Sequence, residues 1–254
     1  MKVRLISLGV VFIGWWIASL FGSDLTVPSP FLVISDFVNL IVSGRLLSAL
    51  SLSLSALAIG GVLSMVIGIP AGILMGVRRS LAQAFDQYFS ALYVMPMSAI
   101  IPLLVLWFGF DLSARVIFIF IFTMPQIVIT CYQGAKNTPG TLIEVARAFR
   151  ATERQIFWKV IIPYEIPFII TAVRLGVGRA VQGMVVAELL IAGTRGIGFL
   201  IQIYSASLNL STVLAIILFL MLLGILLTGI VRWVEQAIAP WRTGTVAEME
   251  TGNV

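Results

Sequence analysis

The sequence predicts an all-α polytopic membrane protein with about six transmembrane helices and one polar cytoplasmic loop. Hydrophobic residues make up 60% of the chain and charged residues only 11%, whereas a soluble domain carries about 25% charged residues. Several apolar runs reach the roughly 20 residues that a helix needs to cross a bilayer. They lack the short polar–apolar alternation of barrel strands. We therefore treat residues 1–254 as a single transmembrane domain.

Missing residue types narrow the possible functions. The chain contains no histidine, which removes histidine-based acid–base catalysis, the common nucleophile triads and the usual metalloprotease motifs. Its single cysteine, Cys131, lies in an apolar run and is expected to be a small buried residue. Because it is the one cysteine in the sequence, an intrachain disulfide and a cysteine metal cluster are impossible. No Gly-x-x-x-x-Gly-Lys-Ser/Thr segment occurs to cradle ATP phosphates. We expect a non-enzymatic chain that binds no cofactor, no metal and no nucleic acid.

Six apolar stretches are expected to cross the membrane. Their ranges are 5–22, 46–77, 84–108, 112–133, 164–191 and 210–231. Lys2 and Arg4 precede the first stretch, and no small-x-small cleavage site lies before Asp24, so it is predicted to be an uncleaved span. Phe31 to Gly44 predicts a short helix at the outer interface, and Ile197 to Ser207 a re-entrant or interfacial helix.

Prolines mark the places where the spans should bend. Pro70 is expected to kink the second span, with its freed carbonyl satisfied by neighbouring helices. Pro96 and Pro102 interrupt the third span, and Pro125 lies inside the fourth. For Pro96 and Pro102, a structural kink and a gate are both possible roles.

The fifth span carries four polar residues at membrane depth: Arg174, Arg179, Gln182 and Glu188. Charges there are costly unless paired or hydrated, which makes them functional candidates. Arg174 and Glu188 project within about 40° of each other but stand about 21 Å apart along the axis. They are predicted to border one pathway, whereas Arg179 points elsewhere, toward a subunit interface. For Arg174, snorkelling toward the cytoplasmic surface is the alternative.

The candidate pathway residues are Pro96, Arg174, Gln182 and Glu188. Close helix packing is expected at Gly176, Gly178 and Gly183.

The long polar segment from Thr141 to Pro163 interleaves charged and apolar residues at helical spacing, which predicts two short amphipathic helices. Thr141 with Glu144, and Thr152 with Gln155, have the spacing of a capping box. Pro163 should stop or kink the second helix. Such a surface either docks on a partner or lies on lipid headgroups.

The distribution of basic residues orients the chain. Six spans place both termini on one membrane side, together with the polar segment. The basic residues on that side are Lys2, Arg4, Arg78, Arg79, Lys136, Arg147, Arg150, Arg154, Lys159, Arg232 and Arg242; those on the other side are Arg45, Arg115 and Arg195. The positive-inside rule therefore places both termini and the polar segment in the cytoplasm.

The polar segment resembles the EAA loop of ABC importer permeases, in which Glu-Ala-Ala and a later Ile-x-Leu-Pro have fixed spacing. Glu144, Ala146, Val160, Ile162 and Pro163 fall at the matching positions. The flanking segments 94–110 and 175–190 resemble the nitrate/sulfonate/taurine branch of this family. The resemblance covers roughly 28–233.

Two positions depart from the family pattern. Val145 replaces the usual second alanine, which is a small change. Arg150 stands where the family has a glycine that permits a left-handed turn. We expect this turn to be made differently, or the first helix to run on. The Arg150 side chain either makes a charged contact with a partner or is solvated.

The resemblance implies a complete transporter. Two permease copies, expected as a homodimer, form the pathway in the inner (plasma) membrane of a prokaryote. Cytoplasmic ATPase subunits bind ATP and Mg²⁺, and an extracytoplasmic binding protein delivers the solute. The expected ATPase-coupling residues are Glu144, Ala146, Arg147, Phe149, Arg150, Ile162 and Pro163. Relatives carry small anions such as nitrate, sulfonates, taurine and bicarbonate, while similar permeases carry vitamin precursors or aromatic acids. The alternatives are an ion-coupled secondary transporter and an intramembrane enzyme.

Overall fold

The structure is a computed structural model that describes residues 2–23, 25–191 and 195–238, and every regular element in these ranges is helical. In chain order the helices are α1 (Lys2–Phe21), α2 (Pro30–Val42), α3 (Arg45–Val77), α4 (Arg79–Val94), a 3₁₀ turn (Met97–Ile100), α5 (Ile101–Phe108), α6 (Leu112–Lys136), α7 (Gly140–Ala148), α8 (Glu153–Ile156), a π turn (Phe157–Ile161), α9 (Ile162–Leu190), α10 (Ile197–Ala206) and α11 (Leu210–Ile238). Met1, Asp24 and the ranges 192–194 and 239–254 lie outside the described residues, among them Arg242, which was assigned to the cytoplasmic side.

The predicted all-α membrane class is confirmed. Four helices in the described residues are long and apolar enough to span a membrane: Arg45–Val77, Leu112–Lys136, Glu153–Leu190 and Leu210–Gln236. A fifth span is present if Arg79–Val94 and Met97–Phe108 are counted together. The first predicted span corresponds to the 20-residue helix α1. The side chains at the start of α1 lie outside the described residues, so α1 is not counted among the spans given above.

The third predicted span is not one straight helix. Its two halves meet at an angle of 94°. Pro96 donates no backbone hydrogen bond and disfavours helical geometry in the preceding residue; accordingly, Met95 is extended, with φ −60° and ψ 138°. Pro102 lies in the first turn of α5, where a proline removes no helical hydrogen bond. The span expected over 84–108 is therefore a broken pair that begins at Arg79.

Glycines bring α3 and α6 into close contact. A Cβ atom on Gly60 would lie 2.8 Å from the Cβ of Ile119, and one on Gly72 would lie 2.5 Å from the carbonyl oxygen of Val128. This is the small-residue packing typical of membrane helices. α3 continues through Pro70 as a single 33-residue helix.

Helix α9 packs on α3 and α6 to complete the core. Buried residues of the three helices meet there, among them Ile119, Ile127, Ala180 and Met184. Cys131 is fully buried, as predicted. Gly176 and Gly183 contact Ile127 and Phe122, but Gly178 has nothing within 4 Å of the place of a Cβ. Close packing within the described chain is thus confirmed at Gly176 and Gly183, while at Gly178 it stays a prediction because no described part of the same chain lies beside it.

A short interfacial helix was expected over Phe31 to Gly44, and the structure has α2 there. This helix packs beside α11 at the predicted outer end of the bundle. The Ser29 side chain caps α2 by accepting a hydrogen bond from the Leu32 N–H. Asp36 of α2 accepts hydrogen bonds from the hydroxyls of Ser211 and Thr212 on α11. These contacts fix the outer end of α11 against the bundle.

Candidate functional site

The polar segment folds into the separate helix α7 and a second helix that begins at α8. Its second predicted capping box is confirmed: the Thr152 hydroxyl accepts from the Gln155 N–H at 3.3 Å, and the Gln155 side chain accepts from the Thr152 N–H at 2.8 Å. The first predicted box is wrong. α7 already begins at Gly140, with Pro139 as its cap and no side-chain cap bond. Thr141 is therefore inside the first turn, where its hydroxyl cannot serve as an N-cap.

Arg150 itself makes the turn after α7. It adopts a positive φ of 57°. The Arg150 N–H donates to the Arg147 carbonyl at 2.8 Å, and the Ala151 N–H donates to the Ala146 carbonyl at 3.0 Å. These two bonds form a Schellman motif. The expectation that arginine would force a different turn is wrong, because the two bonds hold the residue in a left-handed conformation that costs roughly 1–2 kcal/mol.

An ion pair crosses this turn. An Arg147 guanidinium nitrogen lies 3.1 Å from a carboxylate oxygen of Glu153. Both side chains are largely exposed, so the pair stabilises the turn by no more than about 1 kcal/mol. It nevertheless links the end of α7 to the start of α8.

The second loop helix does not stop at Pro163. It widens into the π turn Phe157–Ile161, where the Ile162 N–H donates to the Phe157 carbonyl five residues back, and then continues as α9. A proline ring in an α-helix clashes with the carbonyl four residues earlier, and the wider π turn gives that ring room. The predicted stop is therefore wrong, and Glu153–Leu190 is one 38-residue helix.

The two sides of this loop differ in their packing. Ile156 and Ile161 are buried against the body of the chain. Phe149 is 84% exposed and Val145 57% exposed, while Trp158 is also exposed. Of the predicted coupling residues, Glu144, Arg147, Phe149, Arg150 and Pro163 are exposed, and Ala146 and Ile162 are half-buried.

Arg174 does not share a site with Glu188. One of its guanidinium nitrogens lies 2.5 Å from a carboxylate oxygen of Glu235 on α11. This partner is 61 positions away in sequence and was missed, because nothing local in the sequence relates α9 to the end of α11. Arg174 is therefore paired in the bundle, which neither the pathway nor the snorkelling hypothesis anticipated.

Glu188 is buried where α3, α6, α9 and α10 meet, with 1% of its surface exposed. Its carboxylate accepts from the Ser53 hydroxyl and the Gly198 N–H, both at 2.9 Å. Arg115 of α6 lies 3.6 Å away. The Ser53 hydroxyl also accepts from the Ile197 N–H at 2.9 Å. In this conformation Glu188 fixes the start of α10 and does not line open space, and its place in the pathway stays a prediction.

The other pathway candidates lie near an uncovered side of α9. Gln182 is exposed, and Pro96 lies at the break between α4 and α5. The guanidinium of Arg179 lies 4.4 Å from the ring centre of Phe122 and 5.2 Å from that of Tyr93. Arg179 therefore approaches the broken helix, which the sequence did not indicate.

A second buried acid was missed from the sequence. Glu165 near the start of α9 is fully buried, against Gly134 of α6. Neither of its carboxylate oxygens has a hydrogen-bond partner among the described residues. The only signal in the sequence was an acid at the border of an apolar run.

Taken together, the long apolar helices and the projecting loop with uncovered aromatic side chains indicate an integral membrane protein with a free surface on its polar loop. Residues 68–240 match the family described as the binding-protein-dependent transport system inner membrane component. This match spans more than half of the chain. The chain belongs to this family and is a permease subunit of an ABC importer.

Relatives extend the match over nearly the whole chain. Identity to the taurine transport system permease protein TauC of Escherichia coli is 28% over 242 residues, covering 92% of this chain and 88% of TauC. Identity to the formylaminopyrimidine transport permease protein ThiX of Halalkalibacterium halodurans is 30% over 225 residues, covering 89% of both proteins. The nitrate import permease protein NrtB of Leptolyngbya laminosa is 33% identical over 189 residues, covering 74% of this chain and 67% of NrtB.

A solved structure has the same fold. A chain of the MetNI methionine ABC transporter in an inward-facing conformation superposes with a TM-score of 0.67 at 22% identity, covering 76% of this chain and 96% of that chain. The chain therefore shares its fold with that chain of the transporter.

Proposed function

We propose that two copies of this chain form the translocation pathway of an ABC importer for a small anion such as nitrate, a sulfonate, taurine or bicarbonate. An extracytoplasmic binding protein delivers the solute, and cytoplasmic ATPase subunits dock on the loop formed by α7 and α8. ATP and Mg²⁺ bind those subunits, while this chain is non-catalytic and carries no cofactor. Both of its termini lie in the cytoplasm of a prokaryote, and lipid surrounds the pair of permeases.

The observation that carries the proposal is the uncovered apolar stripe on α7. Leu142, Val145 and Phe149 project within about 60° of one another on a helix and are 45%, 57% and 84% exposed. An exposed aromatic side chain among apolar neighbours is typical of an interaction surface. Burial of Phe149 in a pocket of the ATPase would make it the anchor of the interface.

The helix that follows supports a mechanical role. α8, the π turn and α9 are continuous, so a displacement of the docked loop moves the cytoplasmic end of α9 directly. Ile156 and Ile161 attach this segment to the body of the chain, while α7 remains free to bind. We infer that ATP-driven closure of the two ATPases pulls the loops together and turns the bundle from inward-facing to outward-facing.

The test is a pull-down of the tagged chain from detergent-solubilised membranes, followed by an ATPase assay of the eluate. Replacing Phe149 with alanine removes the anchor, and we expect at least about 30-fold weaker ATPase capture, the effect of losing an interface residue worth 2 kcal/mol. Phe110→Ala is the matched control, because Phe110 is 56% exposed but lies on the predicted opposite membrane side. Undiminished capture by Phe149→Ala would contradict the docking proposal.

A second variant tests coupling rather than capture. Glu144→Lys reverses an exposed charge on α7, and we expect membrane insertion to be intact while ATP hydrolysis no longer drives uptake. Normal coupled uptake by the purified complex would overturn this role for Glu144. If the wild-type chain elutes alone and an ion gradient drives its uptake, the secondary-transporter alternative replaces the proposal.

The choice of a small anion rests on two related permeases, TauC and NrtB, whose names specify taurine and nitrate transport. ThiX, named for formylaminopyrimidine transport, is about as similar. Uptake assays with the complete transporter should therefore compare nitrate and taurine with formylaminopyrimidine. Preferential uptake of formylaminopyrimidine would move the substrate class from small anions to vitamin precursors.

A further inference from the structure

One side of α9 is left uncovered by the rest of the chain. Leu175, Gly178 and Gln182 project within about 60° of one another on a helix. Gln182 is exposed, Leu175 is 47% exposed, and nothing lies within 4 Å of the place of a Cβ on Gly178. We refer to these three residues as the open face of α9.

The open face lies at membrane depth. At 1.5 Å per residue, Gln182 stands about 28 Å from Pro163 and about 12 Å from Leu190 along the helix axis. A polar amide at this depth is unfavourable against hydrocarbon and is found facing other protein or a water-filled cavity. The face therefore does not point into lipid.

Arg179 lies at the edge of the open face, about 40° from Leu175. The centres of the Phe122 and Tyr93 rings lie 4.4 Å and 5.2 Å from its guanidinium carbon. The ion pairs in the described part of the chain involve Arg115, Arg147 and Arg174, and none involves Arg179. Among the described residues, no carboxylate therefore forms an ion pair with the Arg179 guanidinium.

The hydrogen-bonding capacity of this guanidinium is largely unused. Its one hydrogen bond among the described residues runs from Nε to the Phe122 carbonyl at 3.5 Å, the long limit for such a bond. A guanidinium has five N–H donors in a planar fork that matches carboxylates and other oxyanions. Stacking on the two rings positions the group and leaves this fork free to bind an anion.

The break between α4 and α5 lies beside the same group. Tyr93, which holds Arg179, stands just before the 94° bend. At that bend Val94 is 80% exposed and Met95 36% exposed. Non-helical backbone at membrane depth is tolerated where it is buried in protein or lines a water-filled cavity. Two separate elements therefore present features of a cavity wall next to Arg179.

We propose that Arg179 binds the transported anion inside the translocation pathway, with the open face of α9 and the broken helix forming its wall. The ligand is a small oxyanion of the sulfonate, carboxylate or nitrate type, and each permease copy contributes one Arg179. This inference rests on the proposed function, since it places the anion within the permease. It assigns the binding charge to a residue outside the four pathway candidates, because the sequence pattern directed Arg179 toward a subunit interface.

The first test measures water and charge at the open face and needs no ATPase. Gln182→Cys in the full chain, in membrane vesicles, is treated with the anionic reagent sulfonatoethyl methanethiosulfonate and its cationic trimethylammonium analogue. Cys131 is fully buried, so background labelling is low. We expect Gln182→Cys to react, and to react at least about fivefold faster with the anion than an Arg179→Gln, Gln182→Cys double variant does, because the two positions are neighbours on one helix face.

Ile225→Cys is the matched control, because Ile225 is 62% exposed on the apolar helix α11, where lipid should prevent reaction with charged reagents. Arg179→Lys in the Gln182→Cys background should keep the preference for the anion, which separates charge from packing. An unreactive Gln182→Cys would overturn the pathway assignment. Equal rates with and without the Arg179 charge would overturn its role as the anion site.

The second test uses the complete transporter. Arg179→Gln should lower uptake of nitrate or taurine at least about tenfold, while ATPase capture by α7 stays at the wild-type level, and Arg179→Lys should restore part of the uptake. Arg232→Gln, which removes an exposed cation from α11, should leave uptake unchanged. Unchanged anion uptake by Arg179→Gln would contradict this inference alone. Failure of the wild-type chain to capture an ATPase would instead contradict the proposed function.

Discussion

At the scale of single residues, Arg150 has the most constrained backbone of the coupling loop. Its φ of 57° is disfavoured for any residue with a Cβ, yet two backbone hydrogen bonds depend on it. Glycine adopts this conformation readily. The same bonds would form without the steric cost, so the position is a place where the loop can be stabilised.

We expect Arg150→Gly to stabilise the end of α7 by about 1 kcal/mol, through relief of the left-handed conformation. Hydrogen–deuterium exchange of the amides in 146–152 should slow by about fivefold if they exchange through opening of this turn. Arg150→Ala is the control, because it removes the charge but keeps the strain. Equal slowing in both variants would assign the effect to the charge and contradict the backbone explanation.

Residue-scale prediction from the sequence succeeded where the signal was local. The capping box at Thr152 lies within four consecutive residues, and the structure contains it. The same pattern failed at Thr141, because Pro139 and Gly140 allowed the helix to start earlier. The partners of Glu188 lie 135 and 10 positions away, and only the packing of four helices brings them together. Short spacing rules carry no information on such contacts.

At the scale of elements, the contact between α3 and α6 depends on the absence of side chains. Gly72 faces the Val128 carbonyl and the Cβ of Cys131, at 2.5 Å and 2.7 Å from the place of its own Cβ. Real Cβ atoms do not approach other atoms so closely, so even a methyl group would push the two helices apart. Backbone atoms cannot move aside as a flexible side chain can.

We expect Gly72→Ala to destabilise the bundle by roughly 1–3 kcal/mol, the usual cost of overpacking. The measurement is the midpoint of thermal unfolding in detergent, together with the yield of monodisperse protein. Gly224→Ala on α11 is the matched control, because nothing lies within 4 Å of the place of its Cβ. There the better helix propensity of alanine should leave stability unchanged or raised by up to about 1 kcal/mol. A similar response of both variants would mean that helix contact is not the cause.

Prolines illustrate how far elements can be predicted from a sequence. Pro96 breaks its span by 94°, while Pro70 and Pro125 lie within continuous helices, and Pro163 follows a π turn in a helix that does not stop. All four lack the same backbone donor. What differs is whether the surrounding backbone can re-form its hydrogen bonds, as the Ile162 N–H does with Phe157. That depends on neighbouring helices and cannot be deduced from the proline itself.

At the scale of the whole molecule, two uncovered surfaces lie on neighbouring elements. α7, with its apolar stripe, is joined by the turn at Arg150 to the helix that runs from Glu153 to Leu190, and this helix carries the open face and Arg179. The proposed partner of the first surface is the ATPase, and that of the second is the anion. One turn and one continuous helix therefore connect the proposed site of ATPase docking to the proposed site of anion binding. The family and its helical class could be inferred from the sequence, but this connection required the uninterrupted helix seen at Pro163.

The orientation of the molecule decides whether this mechanism is possible, because an ATPase reaches α7 only from the cytoplasm. The start of α4 and the loop carrying α7 are rich in arginine and lysine, which the positive-inside rule assigns to the cytoplasm. α10 lies at the opposite end of the long helices, between α9 and α11. Ser80, at the start of α4, and Ser207, at the end of α10, are both exposed, so they report on the two membrane sides.

We expect Ser207→Cys to react with an impermeant maleimide in intact spheroplasts, and Ser80→Cys to react only after the membrane is opened. The buried Cys131 makes the wild-type chain a low-background control, and labelling in detergent checks that each introduced cysteine is reactive. The reverse pattern would place α7 outside the cell, beyond the reach of any ATPase. That outcome would contradict both the docking of Phe149 on an ATPase and the transmission of force along α9. It would not test the anion site at Arg179, which has its own experiment.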